Sequence, residues 1–218
     1  MKKKIHAVIT GDLVNSTGIE GNYKNVLNDI TNDIRQYQQL DFMLEVYRGD
    51  SFQGLITDPA KALLISMLIR TGLRRNTRGK SLENIWDARI SIGIGTISNF
   101  EISTDTRIGS LDGEAFVRSG QTLDNMKKEG TLLKITTHDT QLNHEFAAIC
   151  PLVDAIISRW STAQAEAVYF YLLRNLTQKE IGKLLNASQR AIGKRLEVSH
   201  IDNLKPFFTR YKELIIWK

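Results

Sequence analysis

The 218 residues hold one cysteine and three prolines, and they contain no long hydrophobic run. The lone Cys150 can form neither an internal disulfide nor a zinc site by itself. This excludes a disulfide scaffold and suits a reducing cytoplasm. So few prolines, with no Ser/Gly-rich tract, exclude a disordered linker. The longest apolar run, Ala62 to Ile69, is broken by Ser66 and falls short of the roughly 20 residues a spanning helix needs. No secretory leader is expected, because the basic start at Met1 to Lys4 soon reaches Gly11 and Asp12. Walker loops, paired-cysteine motifs and a Ser/His/Asp order are all missing. His6, His138, His144 and His200 are scattered without ligand spacing and read as structural or exposed. Trp86, Trp160 and Trp217 read as core or interface anchors rather than stacking platforms for bases. The expectation is a cytoplasmic globular protein with no membrane partner.

Charge is unevenly spread. Residues 1–149 carry 18 Lys/Arg against 18 Asp/Glu, whereas residues 150–218 carry 11 against 6. The whole net charge of +5 therefore lies in the C-terminal part. A basic minority segment beside a neutral majority suggests a polyanion partner, although a solvated helical surface rich in lysine accounts for the count equally well.

Periodicity supplies the elements. Ile5 to Asp12 alternates like a half-buried strand. A helical stripe follows through Val26, Leu27, Ile30 and Ile34. Phe42 to Tyr47 and Phe52 to Thr57 form two strands closed by the turn Arg48-Gly49-Asp50-Ser51. A helix runs from Ala60 to about Thr77, opened by Asp58-Pro59. Arg70, Arg74, Arg75, Arg78 and Lys80 crowd its end, where cations complement the helix dipole and need no ligand to explain them. Asp87 to Thr96 alternates Ile90, Ile92 and Ile94 against Gly93 and Gly95, and glycines on one strand face let another backbone or a ligand approach. A helix over Asp112 to Lys128 and a strand over Leu132 to Thr136 complete the β-α-β-β-α-β-α-β order. This predicts an α+β fold, a ferredoxin-like split βαβ sheet with helices on one face. Beyond His138 the strand signal ends, and everything from Pro151 reads as helix. The expected division is residues 1–149 and 150–218.

Three helices are expected in the second part. The first covers roughly Ser161 to Arg174; the second opens at the capping box Thr177-Gln178-Lys179-Glu180 and ends near Leu185; the third opens at Ser188 and runs past Leu196. Gly182 stands midway along the second helix, where a partner helix must come close. Asn186 follows four positions later, where a turn requires positive φ. Ile181, Leu185, Ala187 and Ile192 fill the angle between the helices. This segment resembles a repressor or sigma-factor helix-turn-helix. A three-helix interaction bundle shares the apolar pattern but does not require Gly182 and Asn186. On the DNA reading, Ser188, Gln189, Arg190, Gly193 and Lys194 face the major groove. Gln189 suits adenine and Arg190 suits guanine or phosphate, while Lys194, Arg195, Thr177 and Gln178 contact phosphate. A module of this size implies a homodimer.

Two short motifs mark the first part: Thr10-Gly11-Asp12-Leu13-Val14-Asn15-Ser16-Thr17 and Arg48-Gly49-Asp50-Ser51-Phe52. The split topology makes their strands neighbours, so Asp12 and Asp50 meet at one end of the sheet. With the Leu13 carbonyl they form a ligand set for one or two divalent ions about 3.5–4 Å apart, such as Mg²⁺ or Mn²⁺. The turn after Asp12, through Asn15, Ser16 and Thr17, and the turn at Gly49 offer N–H and hydroxyl groups to a nucleotide's phosphates. The alternative is that both aspartates are turn and strand-end residues with no ligand.

These motifs resemble the class III nucleotide-cyclase catalytic domain over roughly residues 5 to 135, and the Gly49-Asp50-Ser51-Phe52 turn is similar to that of diguanylate cyclases, with Ser51 in place of their glutamate. The resemblance implies metal at Asp12 and Asp50 and a nucleoside triphosphate or cyclic nucleotide as ligand. It also implies a base-selecting lysine where Val46 stands, and a transition-state asparagine and arginine where Val117 and Gln121 stand. Arg118 is the nearest substitute. Without a cation on the developing charge, binding without cyclisation is the expectation. The full-length pattern resembles the SatD family, on Ala7 to Ser16, Gly49 to Gln53, Asp112 to Phe116 and the terminal helix-turn-helix. That resemblance implies a bacterial source and a regulatory role. The combined expectation is a DNA-binding regulator with a nucleotide- and metal-sensing domain, with an active nucleotidyl cyclase or related nucleotidyltransferase as the alternative.

Overall fold

The computed structural model describes residues 4–14, 23–47, 49–77, 85–98 and 107–216. Five strands, β1 (Ile5–Leu13), β2 (Phe42–Val46), β3 (Ser51–Ile56), β4 (Ala88–Thr96) and β5 (Leu133–Thr136), form one sheet in the order β2-β3-β1-β4-β5. All neighbours are antiparallel except β4 and β5. The first four strands, with α1 (Tyr23–Gln38) and α2 (Ala62–Arg75), make the expected split βαβ. The fifth is added through α3 (Glu114–Glu129), a helix crossover between parallel strands.

The expectation of helices on one face is corrected. Leu27, Ile30 and Ile34 of α1 and most of α2 join Ala7, Ile9, Phe52, Ile90, Ile92 and Ile94 in the main core. The residues of opposite parity meet α3: Thr10 Oγ1 is 2.8 Å from Ser119 Oγ, and Val8 clusters with Ala115. β1 is therefore central and covered on both sides, which is why all its positions but half-buried Ile5 and Thr10 are buried. The glycines of β4 make the second layer fit. A Cβ at Gly93 would lie 2.3 Å from the Ala115 carbonyl oxygen, so only glycine lets α3 sit this close.

Five further helices follow: α4 (Thr140–Ile157), α5 (Thr162–Arg174), α6 (Gln178–Leu184), α7 (Gln189–Ser199) and α8 (Ile201–Ile216). α4 runs through position 149/150, and it carries Pro151 in its interior, as α8 carries Pro206. One hydrophobic cluster joins the sheet and the C-terminal helices, with Phe146, Trp160, Tyr169 and Tyr211 among its large members. The Tyr169 hydroxyl donates to Asp33 at 2.8 Å, and the Tyr211 hydroxyl donates to the Pro59 carbonyl at 2.8 Å.

The arginines at the end of α2 serve a different end from the dipole role expected of them. Arg70 is fully buried and Arg74 nearly so. Both hold Asp87, and Arg70 also reaches Asp154 of α4 at 2.6 Å. Arg75 instead lies over the Tyr169 ring at 3.9 Å. Arg78 and Lys80 lie outside the described residues.

Candidate functional site

β1 and β3 end side by side. Asp12 is in register with Ser51, and the Leu13 N–H donates to the Asp50 carbonyl at 3.2 Å. The backbone thus brings Asp12 and Asp50 to one end of the sheet. Between them, the turn uses Gly49 at φ +66, a left-handed conformation that favours glycine. Its carbonyl accepts a hydrogen bond from the Tyr23 hydroxyl, which ties the start of α1 to the hairpin. Leu13 turns its side chain into the main core. Asn15, Ser16 and Thr17 lie outside the described residues, as does Trp217.

The Asp12 side chain shares its face of the sheet with Thr10 and is buried. Arg89, directly opposite on β4, donates from Nη1 to both carboxylate oxygens at 3.0 and 3.1 Å. Lys127 of α3 stands 3.2 Å from Oδ2. Sequence reasoning missed both partners. Arg89 was legible in principle, because it has the parity of Gly93 and lies across from Asp12 once the register is known; Lys127 was not. The cations bear on a divalent ion differently. Arg89 spends one nitrogen on two oxygens and leaves lone pairs free. Lys127, whose side chain is 48% exposed, occupies the outer approach and is able to swing away. An ion approaching the Asp12 carboxylate from outside would have to displace Lys127. Among the described residues, no group of three or more His, Cys, Asp or Glu is arranged to hold a metal.

Arg118 does not join this end. Its Nη1 donates to the Ile94 carbonyl at 2.8 Å and its Nη2 pairs with Glu114 at 3.2 Å. Ile94 is opposite Ala7, five residues along β1 from Asp12, or on the order of 16 Å at strand rise. Glu114 accepts the Thr96 N–H and hydroxyl as well as Arg118, and these bonds hold its carboxyl down at about 2. Val46 packs against the main core, on the side of the sheet away from Asp12. Val117 and Gln121 are exposed on α3.

At the other end of the chain, α6 and α7 are joined by a tight turn. Thr177 and Glu180 form the expected capping box, and Ser188 caps α7 by accepting the Ala191 N–H at 3.1 Å. Asn186 has φ +50. A Cβ at Gly182 would lie 2.7 Å from the Ala187 carbonyl oxygen, so the turn folds back onto α6 where only glycine leaves room. Ile181, Ile192 and Leu196 are buried beneath this unit. Gln178, Gln189, Arg190 and Lys194 are exposed; Lys194 lies 3.2 Å from Glu197, and half-buried Arg195 is 3.9 Å from Glu166. The Thr177 hydroxyl is engaged by Glu180. Gly193 lets the Gln178 side chain lie against α7.

The two ends are connected through buried groups. The Val14 N–H donates to the Asp87 carbonyl at 3.0 Å. The Asp87 carboxylate binds Arg74, whose Nη2 donates to the carbonyls of Ser158 and Trp160. The Trp160 indole N–H donates to the Ser199 carbonyl, the last residue of α7, at 2.7 Å.

Two solved structures resemble the chain at low identity. One is the active GGEEF domain of a diguanylate cyclase from Vibrio cholerae, at 16% identity and a TM-score of 0.40, covering 63% of this chain and 85% of that one. The other is a bacterial light-regulated adenylyl cyclase, at 13% identity and a TM-score of 0.41, covering 62% and 77%. No curated protein matches the chain in sequence. No helix is long and apolar enough to cross a membrane among the described residues. The model of the SatD family matches residues 6–213, almost the whole length, and the chain belongs to that family.

Proposed function

We propose that the protein is a DNA-binding transcriptional regulator whose N-terminal sheet carries a nucleotide- and metal-responsive site. The observation that supports the DNA reading is the α6–turn–α7 unit, a helix-turn-helix domain on this reading. Its turn needs Gly182 and left-handed Asn186, and it leaves Gln189 and Arg190 exposed at the start of α7. Gln189 offers a bidentate pair to adenine and Arg190 to guanine, each worth about 1–3 kcal/mol of discrimination. Lys194 and Arg195 serve the phosphates. The test is selection from a random duplex library with the full chain, followed by a salt titration on the winning sequence. Arg190→Ala is expected to relax the preference about 5- to 150-fold, and Lys194→Ala to lower the salt slope by about 0.9. Absence of enrichment together with salt-independent binding overturns the reading.

The N-terminal reading rests on the meeting of Asp12 and Asp50 at one sheet end. Mg²⁺ or Mn²⁺ held there supplies a docking point for a nucleoside triphosphate or cyclic nucleotide, and metal entry moves Lys127 aside. Val117 and Gln121 leave no cation for a developing phosphate charge, so sensing is favoured over turnover. The buried bonds from Val14 to Ser199 are the route by which occupancy reaches α7. The alternative, a nucleotidyl cyclase or related nucleotidyltransferase using Asp12 and Asp50, is tested by incubating the protein with each nucleoside triphosphate and Mn²⁺. A cyclic or dinucleotide product that disappears in Asp50→Ala makes the protein an enzyme.

A further inference from the structure

α4 carries apolar residues all round, which is the pattern of a helix buried on every side. Its inner face is covered: Leu142, Phe146, Cys150, Val153 and Ile157 are buried in the main core. Its outer face is not. Glu145, Ala148, Leu152, Ala155 and Arg159 are all exposed, and Leu152 at 65% is the most exposed large hydrophobic among the described residues. The four within the helix, Glu145 to Ala155, are spaced 3, 4 and 3 apart, the heptad spacing of a helix seam, and Arg159 follows four residues on in the turn after the helix end. Within the helix the seam has no charge between Glu145 and the turn that holds Arg159. Two alanines beside the central leucine leave room for a second helix to approach closely.

The ends of the seam identify the partner. Glu145 and Arg159 stand seven residues before and seven residues after Leu152. Parallel pairing of two such helices would set Glu145 against Glu145 and Arg159 against Arg159. Antiparallel pairing about a two-fold axis at Leu152 sets each glutamate against the other copy's arginine, twice, and stacks the leucines on the axis. That is the self-complementarity of a closed, isologous contact. Glu145 has only a loose partner within its own chain, Arg210 at 3.8 Å.

We propose that a second copy of this chain docks antiparallel along the outer face of α4, centred on Leu152, to form a two-fold dimer. The interface names the surface for the dimer implied by the DNA reading, but it stands without that reading, because its tests use no DNA. Sedimentation velocity of the full chain over a concentration series is expected to show a reversible monomer–dimer equilibrium. Leu152→Glu puts two carboxylates on the axis and should weaken the dimer on the order of a hundredfold, with the circular dichroism spectrum unchanged, and the melting temperature unchanged at concentrations where the wild type is monomeric, because the site is solvent-exposed in the single chain. Glu145→Arg and Arg159→Glu should each weaken it by a few-fold, and the double variant carrying both should recover most of the loss. Leu152→Cys should cross-link chain to chain under mild oxidation, while buried Cys150 stays out of the reaction. A wild-type chain that stays monomeric at high micromolar concentration overturns the proposal and leaves the seam to a different partner. A dimer indifferent to Leu152→Glu, or a charge swap without recovery, equally overturns it.

Discussion

Replacing Asp87 with asparagine keeps the shape of the side chain and removes its charge from a buried polar cluster that it shares with Arg70 and Arg74. Asp87 is 3% exposed. It accepts from Arg70 Nε at 2.8 Å and Nη2 at 3.0 Å, from Arg74 Nη1 at 3.0 Å, and from the Ala88 N–H at 2.8 Å. In Asp87→Asn an amide nitrogen meets guanidinium donors, and Arg70 keeps only Asp154 as a charged partner. Removing one member of a buried ion pair costs about 3–5 kcal/mol, because the remaining charge is left uncompensated. For a chain of this size that lowers the melting temperature by about 6–20 °C. Urea unfolding at neutral pH followed by circular dichroism reads the loss directly. A loss below about 1 kcal/mol would refute the argument, since it would mean the arginines are satisfied without Asp87.

The same cluster predicts the acid limb. Burial pushes the Asp87 carboxyl up, but the charge and hydrogen bonds of Arg70, with Arg74 and the Ala88 N–H, pull it down and prevail. Its pKa in the folded chain therefore lies below the ordinary value of 3.8. The folded state binds fewer protons than the unfolded chain in this range, so the stabilisation is complete above about pH 4 and is lost as pH falls through the folded value. Asp87→Asn should start less stable at neutral pH and lose less on acidification. Parallel acid limbs in the two proteins would place the acid sensitivity elsewhere.

If the proposed metal site exists, Lys127→Met removes the cation beside Asp12, so Mn²⁺ affinity measured by calorimetry should rise by a few-fold and Asp12→Asn should abolish it in either background; no Mn²⁺ binding in any of the three proteins refutes the proposed site. Gly93→Ala drives a methyl into the Ala115 carbonyl and should destabilise the chain by at least about 1–3 kcal/mol in urea; a neutral result would mean that α3 is free to shift. At Asn186, φ +50 suits glycine but strains a branched side chain, so Asn186→Gly should be tolerated, whereas Asn186→Val should cost about 1–2 kcal/mol. Burial, reinforced by Asp154, pushes the Cys150 thiol up to about 12. A disulfide reagent at pH 8 should therefore leave it untouched in the native chain and modify it fully in denaturant.

What was legible in the sequence was local. The alternation of Ile90, Ile92 and Ile94 against Gly93 and Gly95 set both faces of β4 and left a close approach by a backbone or a ligand on the glycine side, which the backbone of α3 fills at Gly93. The capping box at Thr177 and the positive φ at Asn186 followed from residue chemistry that needs no tertiary context. What was not legible depended on residues far apart in the chain. Asp87 meets Arg70 across 17 residues, and Arg70 meets Asp154 across 84. The arginines consequently read as dipole partners at a helix end. α3 was placed with the other helices because parity tells which residues share a face, not which helix covers that face. α4 and α8 escaped as separate elements: everything from Pro151 read as helix without a boundary for either, and α4 has too little polar contrast to show a period.

That lack of contrast ties α4 to the rest of the molecule's logic. Its inner residues hold the sheet: Asp154 accepts the N–H groups of Leu132 and Leu133 at the start of β5 and also pairs with Arg70. Its end hands over to Trp160, which accepts from Arg74 through its carbonyl and donates through its indole to the end of α7. Arg159, at the tip of the exposed seam, is the residue immediately before Trp160. Two copies joined along α4 would hold their α7 helices at a separation fixed by rigid elements rather than by loops, and half-site spacing on DNA depends on such a separation. A shift of the strand end at Val14, transmitted through Asp87 and Arg74, would alter the α7 anchor in both copies together. Arg74→Lys tests this step alone. It keeps the charge beside Asp87 but loses the planar fork that reaches both carbonyls, so on the proposed reading it should uncouple nucleotide from DNA affinity while leaving the proposed binding of each ligand and the proposed dimer intact.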